Sequence, residues 1–580
     1  MPIVAQSTET TDWVSRYADE VIEESERRAP GKPVVVASGL SPSGPIHLGN
    51  LREVMTPHLV ADEIRRRGHE VRHLISWDDY DRYRKVPNGV AGVDDSWGEH
   101  IGRPLTAVPA PKGSPYASWA EHFKAAMVEA LGELGVEFDG ISQTEQYTSG
   151  TYREQILHAM KHRGDIDTIL DQYRTKKAPA KKQSQKAVDE AELEAAEGSG
   201  AAAEDDGFGS AGYYPYKPYC GDCGKDLTTV TAYDDDTTEL TYTCTACDFS
   251  ETVRLSEFNR GKLVWKVDWP MRWAYEGVVF EPSGVDHSSP GSSFQVGGQI
   301  VGSIFGGKQP IGPMYAFVGI SGMAKMSSSK GGVPTPGDAL KIMEPQILRW
   351  LYARRRPNQS FKIAFDQEIQ RLYDEWDKLE GKVADGSALP ADVAAHSRAV
   401  GTAAGELPKT PRPMAYRTLA SVADITAGAE DQTLRILSEL DPADPLSSLD
   451  EVRPRLDRAE AWINTQVPAD QRTVVRKEAD TELIKSLDDQ GRASLRLLLE
   501  GLDSHWSLDG LTHLVYGVPK VQAGFSADAT PKELPAEIKV AQRTFFALLY
   551  HLLVGRDTGP RLPTLLLAVG QERVRKLLGE

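Results

Sequence analysis

Two stretches of the chain carry residue types suited to handling a polyphosphate. The first, Ser38-Gly-Leu-Ser-Pro-Ser-Gly-Pro-Ile-His-Leu-Gly-Asn50, joins the apolar run Val34-Val35-Val36 to a long helical pattern. A strand, a glycine-rich turn and a helix N-terminus together present backbone N–H groups to phosphate. Gly39 and Gly44 allow close approach of the backbone, and His47 can donate to a phosphoryl oxygen. Neither GxGxxG nor GxxxxGK[ST] is present, so the common dinucleotide and P-loop patterns are not the explanation. Taken alone, the turn is equally well read as a plain βα connection whose His caps the helix. The second stretch, Lys325-Met-Ser-Ser-Ser-Lys-Gly331, follows another apolar run at 314–320. A lysine-bearing serine loop at a strand end can meet charge that develops on a triphosphate.

Four cysteines form a third constellation, Cys220-Gly-Asp-Cys223 and Cys244-Thr-Ala-Cys247, with twenty residues between the pairs. This is the spacing of a four-thiolate zinc site, and a full set of protein ligands makes such a metal structural. A redox pair, or a ribbon that has lost its metal, uses the same pattern. A fourth group, Asp78, Asp79 and Asp81 after Trp77, puts carboxylates at a strand end where open parallel sheets hold ligands. The same acids also fit a solvated capping loop.

The elements that must position these residues follow from the periodicity. A helix over 12–29 is expected to pack on the first domain through Val14, Tyr17, Ala18, Val21 and Ile22. A strand at 34–37, a helix over 51–67 stopped by Gly68 and a strand over 71–77 make a βαβ unit. Helices are expected near 117–135 and 150–162. The stretch 178–212 is rich in Lys, Glu, Ala and Gly and has few large apolar residues, so it is expected to be disordered. Ribbon strands are expected at 228–233 and 239–243. The run 262–273 alternates in polarity and carries Trp265, Trp269 and Trp273. A strand from Val278 opens into a loop with Asp286 and His287, then come a helix over 293–305 and a strand over 314–320. Beyond Gly332 the pattern is helical to the end.

These elements predict an α/β fold: a doubly wound, Rossmann-like parallel-sheet domain with a zinc-ribbon insertion and an all-α C-terminal domain. The expected division is 1–177, first half of the sheet domain with its opening helix; 178–212, disordered insertion; 213–260, zinc ribbon; 261–335, second half with the serine loop; 336–580, helical. At 580 residues the chain is too long for one core. A net charge of −18 argues against indiscriminate nucleic-acid binding but not against a shaped, locally basic surface. No apolar run approaches the roughly 20 residues of a membrane span, and the N-terminus has no secretion signal. All four cysteines being paired as C-x-x-C points to a reducing cytoplasm.

In order and separation, His47-Leu-Gly-Asn50 and Lys325-Met-Ser-Ser-Ser329 resemble the HIGH and KMSKS elements of the class I aminoacyl-tRNA synthetases. Asn50 stands where that pattern ends in His, and Ser328 replaces its second Lys, with Lys330 placed to share the cation's role. With Arg84-Lys-Val-Pro87, the four cysteines, Lys266-Val-Asp-Trp-Pro-Met-Arg-Trp273, Gly284-Val-Asp-His287 and Gly-Pro-Arg-Leu562, the chain is most similar to the class I lysyl-tRNA synthetases. The likeness covers nearly everything outside 178–212.

The resemblance implies activation of lysine by ATP, with Mg²⁺ on the phosphates, and transfer of the lysyl group to the 2′-hydroxyl of lysine tRNA. It implies catalytic roles for His47, Asn50, Lys325 and Lys330. It implies ATP contacts at Pro42, Gly44, His47, Gly49, Asn50, Lys325, Met326, Ser327 and Ser329. It implies an amino-acid pocket of Gly39, Ser41, Trp265 (or Trp269), His287 and Tyr315, structural zinc on Cys220, Cys223, Cys244 and Cys247, and an anticodon-binding helical tail in a cytoplasmic monomer. The nearest enzymatic rival is a glutamate-type class I synthetase. An anionic side chain would call for arginine, and 262–290 offers chiefly Trp and His, with Arg272 the exception. A small nucleotidyltransferase would not need so long a helical tail. A non-catalytic RNA-binding relative would not need the serine loop.

Overall fold

The computed structural model describes residues 12–174, 208–209, 212–288, 292–321, 332–530 and 534–579. The expected disordered stretch therefore falls almost wholly outside the described residues, as do Lys325, Met326, Ser327, Ser329 and Lys330 of the serine loop.

The sheet is built outward from Val34–Leu40, whose first four residues are at most 7% exposed. Such a strand must be covered on both faces, as in a parallel sheet clad by helices. On one side it pairs in parallel with Val71–Trp77, which pairs in parallel with Asp139–Ser142. On the other side Val36 bridges Phe280 in parallel, and Phe280 bridges Ile311. The ladder resumes at Ser283 with Met314 and Gly284 with Tyr315. The chain thus winds away from its first strand in one direction and returns on the other, which is the doubly wound order. The crevice such a reversal opens lies at the strands' carboxyl ends, beside Gly39 and Ser283.

Local chemistry explains the flanking elements. Asp12 caps the helix Trp13–Arg28 by accepting from the N–H groups of Val14 at 3.0 Å and Ser15 at 3.3 Å. The helix Leu51–Arg66 is buried over most of its length, and Gly68, at φ +85°, ends it in the left-handed region that a glycine adopts freely. Ser118 caps Trp119–Glu133. A helix at Arg163–Arg174, not expected from the pattern, follows the expected one at Arg153–Lys161. The cysteine-bearing module has three antiparallel strands, Thr228–Tyr233, Glu239–Cys244 and Ser250–Arg254, one more than expected.

Two expectations are corrected, and a run left without an element is resolved. The alternating run 262–273 is a short strand, Gly261–Leu263, followed by the helix Trp265–Glu276. Alternation over a few residues coincided there with tryptophans four apart, and a four-residue spacing is a helical face. The strand 314–320 is two pieces, Met314–Tyr315 and Val318–Ile320. Pro282 and Pro313, which have no N–H, thin the ladder at this edge. The region beyond Gly332 is not wholly helical, because Phe361–Ile363 is a strand parallel to Val318–Ile320.

By its packing the chain divides into two units. One comprises Met1–Leu340, Pro345–Ala364 and Leu379–Leu407, and the other Lys341–Glu344, Phe365–Lys378 and Pro408–Glu580. The second unit is helical and centres on Arg455, 2% exposed, which bonds Glu344 and Asp377 at 2.8 Å each. Stacked Tyr373 and Tyr416, 4.1 Å between centroids, lie beside it.

In the first unit the fully buried Arg349 donates to the carbonyls of Leu134 at 2.7 Å, Arg398 at 2.7 Å and Gly401 at 3.2 Å, and to His58 Nε2 at 2.9 Å. The Gly401 carbonyl would keep its bond from Arg66 at 2.8 Å, but replacement by Met would take this donor from the Leu134 and Arg398 carbonyls and from His58, and a buried acceptor costs about 1–3 kcal/mol when unsatisfied. Arg349→Met is therefore expected to lower stability by at least about 3 kcal/mol. Urea unfolding would show this, and an unchanged midpoint would refute it.

Candidate functional site

A cavity opens at the strand-order reversal. The signature turn forms one wall through Gly39, Ser41, Gly44, His47 and Asn50. His47 is 5% exposed, and the N–H of Gly49 donates to its Nδ1 at 3.1 Å. With Nδ1 an acceptor, the ring proton of the neutral form sits on Nε2. Burial lowers this imidazole's pKa to about 4, so at neutral pH it is an uncharged N–H donor. Asn50 begins the helix Leu51–Arg66 without a side-chain capping bond. The turn is fastened from behind. Leu48 donates to Pro334 at 3.0 Å, just downstream of the serine loop, and Arg52 donates to the carbonyls of Ala316, Arg356 and Gln359 at 2.6–3.1 Å.

Three carboxyls from three different parts of the chain also line the cavity. Glu53, in the first turn of the helix Leu51–Arg66, accepts from Gly39 N–H at 3.3 Å and from the Tyr315 hydroxyl at 3.0 Å. Burial raises it to about 8, the Tyr315 bond opposing and the nearby Glu281 adding to the shift. Glu281, 5% exposed, accepts the indole N–H of Trp269 at 3.0 Å and that of Trp273 at 2.6 Å. Burial raises it to about 7 against those two bonds. Asp78, at the end of Val71–Trp77, lies 2.8 Å from Arg272, and burial raises it to about 6 despite that partner.

Arg272 is committed elsewhere as well. It pairs with the fully buried Asp268 on its own helix, donates to Ser76 Oγ at 2.7 Å and lies 5.5 Å from the Trp265 ring. Asp268 is in turn held by the Tyr147 hydroxyl at 2.5 Å.

Trp265 and Trp269 stack with centroids 5.1 Å apart at 17°, and His287 stands 5.8 Å from the Trp269 ring. Both tryptophans line the cavity. The Trp269 N–H is taken by Glu281, whereas the buried Trp265 Nε1 has no hydrogen-bond partner. The farther rim is basic and contributed partly by the cysteine-bearing insertion. There Lys262 pairs with Asp81, and Arg82 stands 3.6 Å from Asp226, next to Lys217.

Of the expected residues, Gly39, Ser41, Gly44, His47, Asn50, Trp265 and His287 are brought together on the cavity wall. Tyr315 reaches it through Glu53 and Gly49 through His47. Pro42 is buried and not on the wall. Lys325, Met326, Ser327, Ser329 and Lys330 lie outside the described residues, so their placement is not part of this geometry. Glu53 and Glu281 were not anticipated. A signal for Glu53 existed, because three residues past Asn50 is one turn into the helix and faces the turn it follows. For Glu281 the nearest clue was the pair of indole donors, which need acceptors when buried.

The four cysteines converge within the ribbon, with all Sγ atoms within 4.8 Å of one another. The pairs Cys220–Cys247 and Cys223–Cys244 are each separated by 3.7 Å. A tetrahedral ion with Zn–S bonds of about 2.3 Å sets its sulfurs about 3.8 Å apart, so the cage fits such an ion. The N–H of Asp222 turns toward Cys220 Sγ at 3.4 Å, as the small residues of the knuckle allow.

Comparison with known proteins adds an independent line. Residues 11–406 match the family model described as tRNA synthetases class I (K). A lysine--tRNA ligase of Streptomyces coelicolor is 88% identical, with 100% of both chains covered. Lysine--tRNA ligases of Thermococcus kodakarensis and Treponema pallidum are 32% and 30% identical, each covering 98% of this chain and 99% and 98% of their own. A solved glutamate tRNA ligase from Elizabethkingia meningosepticum reaches a TM-score of 0.40 at 12% identity, over 94% of this chain and 98% of its own. That likeness is too slight to carry an argument.

Proposed function

The chain belongs to the class I (K) tRNA synthetases, and on that premise we propose that the cavity at the strand reversal makes lysyl-adenylate and passes the lysyl group to tRNA. The enzyme is an aminoacyl-tRNA synthetase with lysine--tRNA ligase chemistry. One observation carries the choice of amino acid: Glu53, Glu281 and Asp78 face the cavity, while Arg272 is already engaged by Asp78 and Asp268. A cationic side chain finds carboxylates and an indole face there, while the guanidinium among those carboxylates, Arg272, is already committed; Arg82 and Arg84 line the cavity by Asp226 and Asp81. This also disfavours the glutamate-type rival.

In this reading the lysine ammonium sits at Glu53, beside Trp265, within reach of His287. The lysine carboxylate attacks the α-phosphorus of ATP, the bond to the bridging oxygen breaks, and pyrophosphate leaves. Backbone N–H groups around Gly44 and the Nε2–H of His47 meet the charge on the phosphoryl oxygens, with Asn50 closing that side. Lys325 and Lys330, with Met326, Ser327 and Ser329, are assigned to the departing pyrophosphate from the sequence pattern. The 2′-hydroxyl of the terminal adenosine then attacks the lysyl carbonyl and AMP departs. Mg²⁺ accompanies ATP. The neutral imidazole suits this work, since it donates without competing for a proton. The helical tail reads the anticodon, by stacking splayed bases on aromatic or arginine faces. In this reading the enzyme is a cytoplasmic monomer, as the resemblance implies.

The Cys220, Cys223, Cys244 and Cys247 cage would hold zinc, which supplies a crosslink rather than chemistry, because four thiolates leave no open position. Metal analysis should find about one zinc per chain, and Cys244→Ser should open 213–260 to proteolysis. A zinc-free protein with an intact ribbon would remove the metal from this account.

The function is tested by charging tRNA with each of the twenty amino acids, with lysine expected alone. Charging with glutamate would overturn the reading. His47→Ala should slow adenylate formation by a factor of about 10²–10³ with the fold intact.

The pH dependence follows from Glu53. A carboxyl raised to about 8 is largely protonated at neutrality in the empty pocket and must ionise to hold an ammonium. Lysine binding should therefore release a proton and tighten as pH rises toward 8, then level off. The lysine side chain, with a pKa of about 10.4, keeps its own charge across this range. Removing the Tyr315 bond, which opposes the rise, moves the bend upward, so Tyr315→Phe should shift the KM profile for lysine to higher pH. A profile flat from pH 6.5 to 8.5 in the wild-type enzyme would exclude Glu53 as the ammonium's partner.

A further inference from the structure

One carboxyl lining the cavity has both of its oxygens engaged by the protein itself. Each oxygen of Glu281 accepts an indole N–H, Oε1 from Trp269 at 3.0 Å and Oε2 from Trp273 at 2.6 Å. The two donors lie one helical turn apart on Trp265–Glu276, so a single carboxylate spans one face of that helix. Trp273 is held from its other side as well, since a Cβ at Gly297 would come within 2.9 Å of its ring. Trp269 passes the constraint on, stacking on Trp265 at 5.1 Å and meeting His287 at 5.8 Å. The chain of contacts thus runs from Glu281 through Trp269 to the two side chains assigned to the amino acid.

We propose that Glu281 is a positioning residue for the amino-acid pocket, whose carboxylate, by receiving both indole N–H groups, sets the rotation of Trp269 and through it the wall formed by Trp265 and His287. The inference rests on the lysine reading above. The carboxylate is chemically required. An indole N–H is only a donor, and two donors need an acceptor at each end of the bridging group. A carboxamide has one acceptor and one donor, so its NH₂ would oppose one indole N–H and force that ring to turn. An aspartate, one carbon shorter, would not span the pair. Glu281 acts through Trp269 and Trp273 and makes no contact with lysine, unlike Glu53, whose Oε2 accepts only from Tyr315 among the bonds described.

The test is steady-state lysylation of tRNA by the full-length enzyme, with lysine and ATP varied in turn. E281Q is expected to raise KM for lysine about tenfold or more, as for one mispaired buried donor, while KM for ATP stays within about twofold. The decisive comparison is W269F/W273F with W269F/W273F/E281Q. With no indole N–H left to receive, the Gln substitution should change KM for lysine by less than about twofold. A further rise as large as in the wild-type background would mean that Glu281 contacts lysine directly, and would overturn the proposal. So would a wild-type KM in E281Q alone. If E281Q does not fold, the Phe-background pair decides by itself, equal KM values supporting the proposal and unequal ones overturning it. The underlying reading fails separately, by absence of lysine charging in the wild-type enzyme. In that event the emission of E281Q without substrate still reports whether the indoles have turned, and an unchanged spectrum would overturn the clamp.

Discussion

The pocket depends on a buried ion cluster. Arg272 is 6% exposed, and burial works against its charge, but Asp268 and Asp78 more than offset that. Removing Arg272 would leave the carboxyls of Asp268 and Asp78 in the interior without their cation, which is far more costly than never having buried the set. The cluster ties together elements distant in sequence. Asp78 ends the second strand, Asp268 and Arg272 lie on the tryptophan helix, and Tyr147 brings the segment after the third strand to Asp268. The same Tyr147 hydroxyl accepts from the N–H of Leu263, where the insertion rejoins the sheet domain. The cavity has its shape because these pieces cannot move independently.

The cluster also divides the labour among like residues. Three carboxyls face one small volume, yet one is tied to a guanidinium, one to two indoles and one to a tyrosine hydroxyl and a backbone N–H. Each neighbour sets how readily its carboxyl ionises, and together they leave a site that is short of positive charge. In the proposed reading, a substrate that brings an ammonium completes the site.

The parts legible in the sequence were those set by local chemistry. Val34–Val36, the signature turn and the helix after it announce themselves by apolar run, glycine spacing and period, and the structure places them together. The cysteine spacing likewise specified a cage that closes. What was not legible depended on three-dimensional neighbours. The tryptophan helix hid within an apparent alternation, the three-residue strand Phe361–Ile363 was too short to leave a period, and Glu281 looked like any acidic residue near a strand end. A carboxylate that receives two ring N–H groups from the preceding helix has no sequence signature of its own, only a complement elsewhere in the chain.

The cysteine-bearing insertion leaves and re-enters through a paired stalk, Tyr216–Pro218 antiparallel to Gly261–Leu263, closed further by Val264 N–H to Pro215 at 3.0 Å. The strands touch so closely that a Cβ at Gly261 would fall 2.6 Å from the Lys217 carbonyl. Because the two ends of the module are neighbours, its interior can lengthen, shorten or be exchanged by recombination while the junction keeps its geometry. The stalk itself has no such freedom, since Lys217 and Lys262 project from it onto the cavity rim. Among related chains, variation in length is therefore expected to collect beyond the stalk, and its absence in the stalk would record a constraint imposed by the pocket rather than by the metal.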